Sequence, residues 1–187
     1  MQQSIQLLRG EDGQAVTALL SEISQRHIDD YQNSWREMLQ RYQQEDQFWS
    51  WEFKQRVFLS QKNYEGYALE VMGRTEGLLM LETQNHRSQL TPGQPLVYVM
   101  SIAAAPWNRR EIQRPPELSG VGSELLLSAR LRSIELGYRG RIGLHSLPRA
   151  ERFYENKNMI LIEHDSDEYL SSDDEPELAY FEYPATA

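Results

Sequence analysis

Apolar positions along the 187-residue chain repeat with two different periods. Residues 4–8 (SIQLL) read as a short strand, closed by Gly10 and Gly13. Ala15, Leu19, Ile23 and His27 then recur at every fourth position, the spacing of one helix face, and predict a first helix. Tyr31, Trp35, Met38, Leu39 and Tyr42 repeat that spacing and predict a second. A third helix is expected over about residues 46–59, with Phe48, Trp51 and Phe58 on its apolar side. YALEV and GLLML, joined by a turn around Gly73, read as a β-hairpin. A loop carrying Pro92, Gly93 and Pro95 leads into LVYVMSIAA, the most apolar strand candidate and hence a central one.

The second half alternates in the same way. Residues 106–118 form a loop with three prolines and three arginines. A helix over residues 120–136 stops at Gly137, a C-cap position. At about 100° per residue, Glu124, Ser128, Arg132 and Glu135 gather into one narrow polar stripe. Leu125, Ala129 and Leu136 flank it on one side, and Leu127, Leu131 and Ile134 on the other. That pattern predicts a helix covered on most of its circumference. RIGLH reads as a strand, PRAERFYEN as a short helix with Pro148 in its first turn, and MILIE and ELAYFEY as two last strands. No repeat and no long linker divides the sequence, so residues 1–187 are expected to form a single domain.

Composition narrows the setting. The longest nearly apolar run, residues 96–105, is half the ~20 residues of a membrane-spanning helix, and the mean hydropathy is −0.66. The start, MQQSIQLLRGED, has neither the basic nor the apolar region of a signal peptide, so a cytoplasmic protein is expected. With no cysteine there is no disulfide, no thiolate nucleophile and no zinc–cysteine site, and no metal is expected. A net charge of −9 argues against nucleic acid as a partner and suits a cationic one.

One feature of the pattern runs against helix formation. The strongly apolar helix at 120–136 opens on Gly120 and Gly122, although glycine costs roughly 1 kcal/mol relative to alanine within a helix. A helix start presents unpaired N–H groups and a partial positive charge, and glycine lets an anion approach them. A dinucleotide fingerprint would need a third glycine where Leu125 stands, and a P-loop would need a lysine that is absent. Two readings remain on the glycines alone: an anion cradle, or a tight turn into the helix.

Their surroundings carry a resemblance. The strand IAAAP before the loop, and a strand and FYENKNM after the long helix, make residues 96–159 similar to the GNAT acetyltransferase superfamily. The resemblance implies an α/β (α+β) fold with a mixed, mostly antiparallel central sheet flanked by helices. It implies acetyl-CoA as co-substrate and direct transfer of the acetyl group to a primary amine, either a small cationic amine or a protein lysine or N-terminus. The family's Q/R-x-x-G-x-G/A loop reads here Glu117-Leu118-Ser119-Gly120-Val121-Gly122. Both glycines match, but Glu117 stands where Gln or Arg is usual. A carboxylate beside a pyrophosphate is electrostatically wrong, so Glu117 is expected to point away, with Arg109, Arg110 or Arg114 supplying positive charge.

By the same resemblance, Leu118, Ser119, Gly120, Val121, Gly122 and Ser123 face the pyrophosphate, while Ile102, Ala103 and Ala104 lie along the pantetheine arm. Leu147 stands where an Asn is usual. The match of AERFYE to A-x-x-F-Y-E makes Tyr154 the expected proton donor to the departing thiolate, the alternative being a tyrosine packed beside Phe153. The central strand offers no base. Glu82 is the expected one, with Glu70, His145 or a water chain behind it. Tyr31, Trp35, Tyr42, Trp49 and Trp51, or residues 163–177 with eight carboxylates in fifteen positions, are expected to shape the acceptor side. That acidic run reads as solvated surface or as a recruiter of a cationic amine. The expected partners are acetyl-CoA and an amine acceptor, with no nucleic acid and no membrane, and a homodimer is admitted. The rival reading is a catalytically silent GNAT-like binding or regulatory protein.

Overall fold

The computed structural model describes residues 2–162 and 178–186. The acidic run at 163–177 therefore lies outside the described residues. Those described form nine strands in one sheet: β1 (Gln3–Arg9), β2 (Ala15–Glu22), β3 (Tyr64–Val71), β4 (Arg74–Glu82), β5 (Val97–Ala104), β6 (Leu118–Ser119), β7 (Ile142–Ser146), β8 (Ile160–Ile162) and β9 (Ala179–Tyr183). Their spatial order is β6-β1-β2-β3-β4-β5-β7-β9-β8, and every neighbouring pair but one is antiparallel. The exception is β5 with β7. Among the described residues no helix is long and apolar enough to cross a membrane.

The first expected helix is a strand. A four-residue spacing is also a multiple of the strand period, so Ala15, Leu19 and Ile23 do not discriminate between the two. The buried positions are Ala18 and Leu20, whereas Leu19 is 36% exposed, which is period two. A turn through Gly13, at φ +72°, returns β2 onto β1. The helical run starts at Ser24, whose N–H donates to His27 Nδ1 at 2.8 Å. It continues without a break through α1 (Gln25–Asp30), a wide turn at Tyr31–Trp35 and α2 (Arg36–Arg41). The third helix, α3 (Trp51–Phe58), begins five residues later than expected, because Ser50 Oγ caps it by accepting from Phe53 N–H at 3.2 Å. Phe48 lies in the short turn before it and is 85% exposed.

Two apolar layers sandwich the sheet, and β4 serves both. Leu79 and Leu81 face α4 (Val121–Glu135) and α5 (Glu151–Asn156), while Leu78 and Met80 face Tyr31, Trp35 and Trp51. The outer side of α4 departs from expectation: Leu127 and Ile134 are each nearly half exposed. Its polar stripe is instead partly turned inward and satisfied there. Ser128 Oγ donates to the Glu124 carbonyl at 2.7 Å, and Arg132 forks onto Glu65 of β3 at 2.8 Å on both arms.

The sheet opens at its centre for two reasons. Opposite β4 the register slips, with Met80 facing Ser101 and Leu81 facing Val99, so Met100 is an inserted residue that bends β5. On the other edge, β5 and β7 pair only at Val97–Ile142 and Tyr98–Gly143. Beyond those two pairs the strands part, leaving a cleft beside Ile102, Ala103 and Ala104.

Candidate functional site

The cleft holds two cavities that share Trp49, Ile102, Leu147, Ala150 and Tyr154 as walls. The first, about 350 Å³, is lined by residues 102–104 and 120–123 together with Phe153, and its charged walls are Glu45, Asp46 and Glu111 with Arg109, Arg110 and Arg149. Gly120 precedes α4 at φ +97°, a left-handed conformation that favours glycine. Its carbonyl accepts the Glu124 N–H at 2.9 Å, and no side chain caps the helix. The amides of Val121, Gly122 and Ser123 therefore have no partner within the helix. Gly122 has an ordinary backbone, and a Cβ built there would stand 3.4 Å from Phe153 Cζ. Gly120 makes the turn into the helix, and Gly122 puts no side chain beside the helix-start amides.

Glu117 points away from this cavity, as its charge requires. It pairs with Arg74, which also donates from Nε to Glu76 at 2.7 Å. Glu76 is buried and accepts from Trp107 Nε1 and Asn108 Nδ2 as well, both at 2.7 Å. Asn108 Oδ1 in turn takes the Leu118 N–H at 2.9 Å. This network holds the proline-rich loop down and carries Leu118 and Ser119 into β6, paired to Arg9 and Leu8. Leu118 is core, and neither residue lines the cleft.

The three loop arginines separate. Arg109 forks onto Asp46 at 2.7 and 2.6 Å and donates from Nε to the Ala104 carbonyl at 2.9 Å. Its charge is matched, and its role is to tie the end of β5 to the helical layer. Arg110 lines the cavity and is exposed, whereas Arg114 lies in a separate hollow with Glu117. Arg149, which sequence reasoning missed, lines the same cavity, and its Nη1 donates to the Gln43 carbonyl at 3.1 Å. Its position directly after the helix-starting Pro148 was the available signal.

Tyr154 stands where the two cavities meet. Its ring lies 5.1 Å from Phe153 and 5.8 Å from Phe181, and burial pushes its phenol above the ordinary value of 10.0, so the proton is held firmly. Packing and a cleft-facing position are thus both true of this residue.

The second cavity, about 230 Å³, adds Lys54, Tyr98, Met100, Ser101, Leu144, His145 and Leu178. His145 Nδ1 is 2.8 Å from Tyr98 Oη, and Tyr98 stacks on His86 at 4.1 Å. Glu82 is not there. It faces Tyr98 across the β4–β5 pair, about 20 Å of strand from Ala104. Its carboxylate accepts from Asn63 Nδ2 at 2.9 Å and from the Gln84 and Asn85 amides at 3.0 Å, and it lies 2.7 Å from His86 Nδ1. Burial pushes this carboxyl up, but those hydrogen bonds outweigh it and hold it below the usual range. Glu82 builds a turn. Glu70 is likewise engaged, by His27 and Arg26. Of the five aromatics expected on the acceptor side only Trp49 lines the cavity, while Tyr31, Trp35 and Trp51 are fully buried core.

No family model matches the sequence, and no curated protein matches it. The architecture is that of a known class: the chain has the fold of the GNAT acetyltransferases. It is similar to the GNAT domain of S. lividans PAT at 16% identity, covering 97% of this chain and 96% of that one with a TM-score of 0.60. A Corynebacterium glutamicum structure described as histone acetyltransferase HPA2 and related acetyltransferase is 13% identical over 98% of both chains, at a TM-score of 0.59. Arabidopsis thaliana NAA60, solved in complex with acetyl-CoA, is 13% identical over 89% of this chain and 97% of its own, at 0.57.

Proposed function

We propose that the chain is an acetyl-CoA-dependent N-acetyltransferase that moves the acetyl group directly to a primary amine. The observation that carries this reading is the pair of cavities meeting at Tyr154, one bordered by bare helix-start amides and the other by His145. The residues present fit acetyl-CoA. The amides of residues 121–123, with Arg110 and Arg149, suit a pyrophosphate, and the edge of β5 that β7 leaves unpaired, at Ile102 and Ala103 beside an Ala104 carbonyl already held by Arg109, suits the amides of the pantetheine arm. Acetyl-CoA supplies the activated acyl group as a thioester.

Tyr154, protonated across the working range, donates to the sulfur as it departs. His145, oriented by Tyr98, takes the proton that the attacking ammonium must lose, directly or through a water. Leu147 and Ala150 keep the junction apolar, which strengthens each polar contact within it. With no cysteine in the chain, direct attack by the amine needs no acyl-enzyme. The test is incubation with acetyl-CoA and a panel of amines, read by product mass and initial rates. Acetylated amine and intersecting double-reciprocal lines are expected. Acetyl-CoA binding with no transfer to any amine would favour the silent binding protein.

A further inference from the structure

The acceptor cavity has a chemistry of its own, and the inference drawn from it rests on the acetyltransferase reading above. Its volume of about 230 Å³ falls below the range of roughly 300–1,000 Å³ typical of drug-sized ligands, so it suits an acceptor of amino-acid size. Its walls are largely apolar, with Trp49, Met100, Ile102, Leu144, Leu147 and Leu178 around the junction. Among the described residues no carboxylate lines it.

The charged group that does line it is Lys54, on α3. Its ammonium lies over the Trp49 ring, 5.2 Å from the centroid, and pairs with no carboxylate among the described residues. Burial pulls its pKa below 10.5. A partly desolvated ammonium with no carboxylate partner among the described residues is poorly satisfied by them, and a ligand anion is a group that completes it. A second ammonium brought beside it would be repelled, so a polyamine fits this wall badly.

We propose that the acceptor is a small amine with an apolar body and a carboxylate, an amino acid with a hydrophobic side chain, and that Lys54 binds the carboxylate. This departs from the cationic acceptor that the acidic run at 163–177 suggests in the sequence.

Two measurements test it. In the first, acetyl transfer to L-phenylalanine, L-leucine, phenethylamine and spermidine is compared in the wild type and in Lys54→Met and Lys54→Glu. The amino acids should be preferred. Lys54→Met should lower the phenylalanine-to-phenethylamine ratio of kcat/KM about 10- to 100-fold, mainly through the KM for phenylalanine, and Lys54→Glu should invert the preference. Preference for spermidine or phenethylamine in the wild type, or an unchanged ratio in Lys54→Met, overturns the inference. In the second, calorimetric binding of N-acetyl-L-phenylalanine and N-acetylphenethylamine to the CoA-saturated protein requires no turnover. Binding that favours the carboxylate and depends on Lys54 supports the assignment, and equal binding of both ligands overturns it. Lys54-dependent binding with no transfer from acetyl-CoA to any amine supports the assignment while overturning the acetyltransferase reading.

Discussion

Replacing Gly122 with alanine and then valine tests the proposed anion cradle at the helix start against a purely structural role. The backbone at 122 is not left-handed, and a Cβ there meets Phe153 at 3.4 and 3.7 Å, ordinary van der Waals contact. Alanine should therefore be accepted, with a helix-propensity gain of up to roughly 1 kcal/mol. Valine adds methyls that must lie against Phe153 or across the amides of residues 121–123. A hydrogen bond to a charged group is worth about 1.5–3 kcal/mol, so blocking one such amide should weaken acetyl-CoA binding roughly 10- to 100-fold. The apo protein should lose no more than about 1 kcal/mol, from the crowding of Phe153, since valine is no worse a helix former than the glycine it replaces. Calorimetric titration with acetyl-CoA and urea unfolding of the apo protein read the two quantities on the same variants. Pantetheine, which lacks the pyrophosphate, is the control ligand and should bind both forms about equally. Equal losses in folding and binding, or equal weakening of pantetheine and acetyl-CoA, would refute the cradle. Gly120→Ala should behave oppositely, losing about 1–2 kcal/mol of stability because of its left-handed φ of +97°.

Tyr154→Phe should preserve folding and acetyl-CoA affinity and lower kcat toward the smaller end of roughly 10²- to 10⁴-fold, since a thiolate leaves fairly well unaided. Burial raises this phenol, and its donating form persists below the raised pKa, so the wild-type rate should show no basic fall from Tyr154 up to about pH 10; a fall below that pH that vanishes in the Phe variant would contradict the account. Glu82→Gln should lower stability by about 1–3 kcal/mol at neutral pH with kcat unchanged. Because the folded carboxyl sits below its ordinary value of about 4.3, its stabilisation is present above that value and lost as pH falls through the folded pKa, so the two acid-unfolding curves should converge in that window; a folded variant with a tenfold loss of kcat would restore Glu82 as the base. Arg109→Met, which leaves the buried Asp46 unpaired, should cost about 3–5 kcal/mol, most of it recovered in Arg109→Met/Asp46→Leu, as chemical denaturation would measure.

What the sequence made legible was local. The motif around Gly120 and Gly122, the hairpin turning at Gly73 and the order of elements from β5 to α5 all follow from short-range patterns of glycine, proline and apolar residues. Glu117 could be turned away from the cleft on charge alone, although its partner Arg74 was not foreseeable. The misreadings share one cause, a local pattern settled by distant contacts. The four-residue spacing from Ala15 fits both periods, and only pairing with β1 and β3 selects the strand. Arg109 reads as a phosphate ligand until Asp46, far away in sequence, claims its guanidinium. Glu82 shares a strand face with core residues, and nothing nearby in sequence reveals that its lone pairs are taken by a turn and by Asn63. Lys54, Tyr98 and His145 become neighbours only when α3, β5 and β7 converge.

The shared partition between the two cavities also constrains how such a protein can change. Trp49, Ile102, Leu147, Ala150 and Tyr154 each present a surface to both compartments. On the acetyltransferase reading proposed above, a substitution that enlarges the acceptor compartment by trimming one of them also loosens the grip on the donor, and the reverse holds. Divergence toward new acceptors is therefore freer on the private walls, at Met100, Leu144 and Leu178, than on the common ones. Selection acting on one substrate at the partition is selection on both.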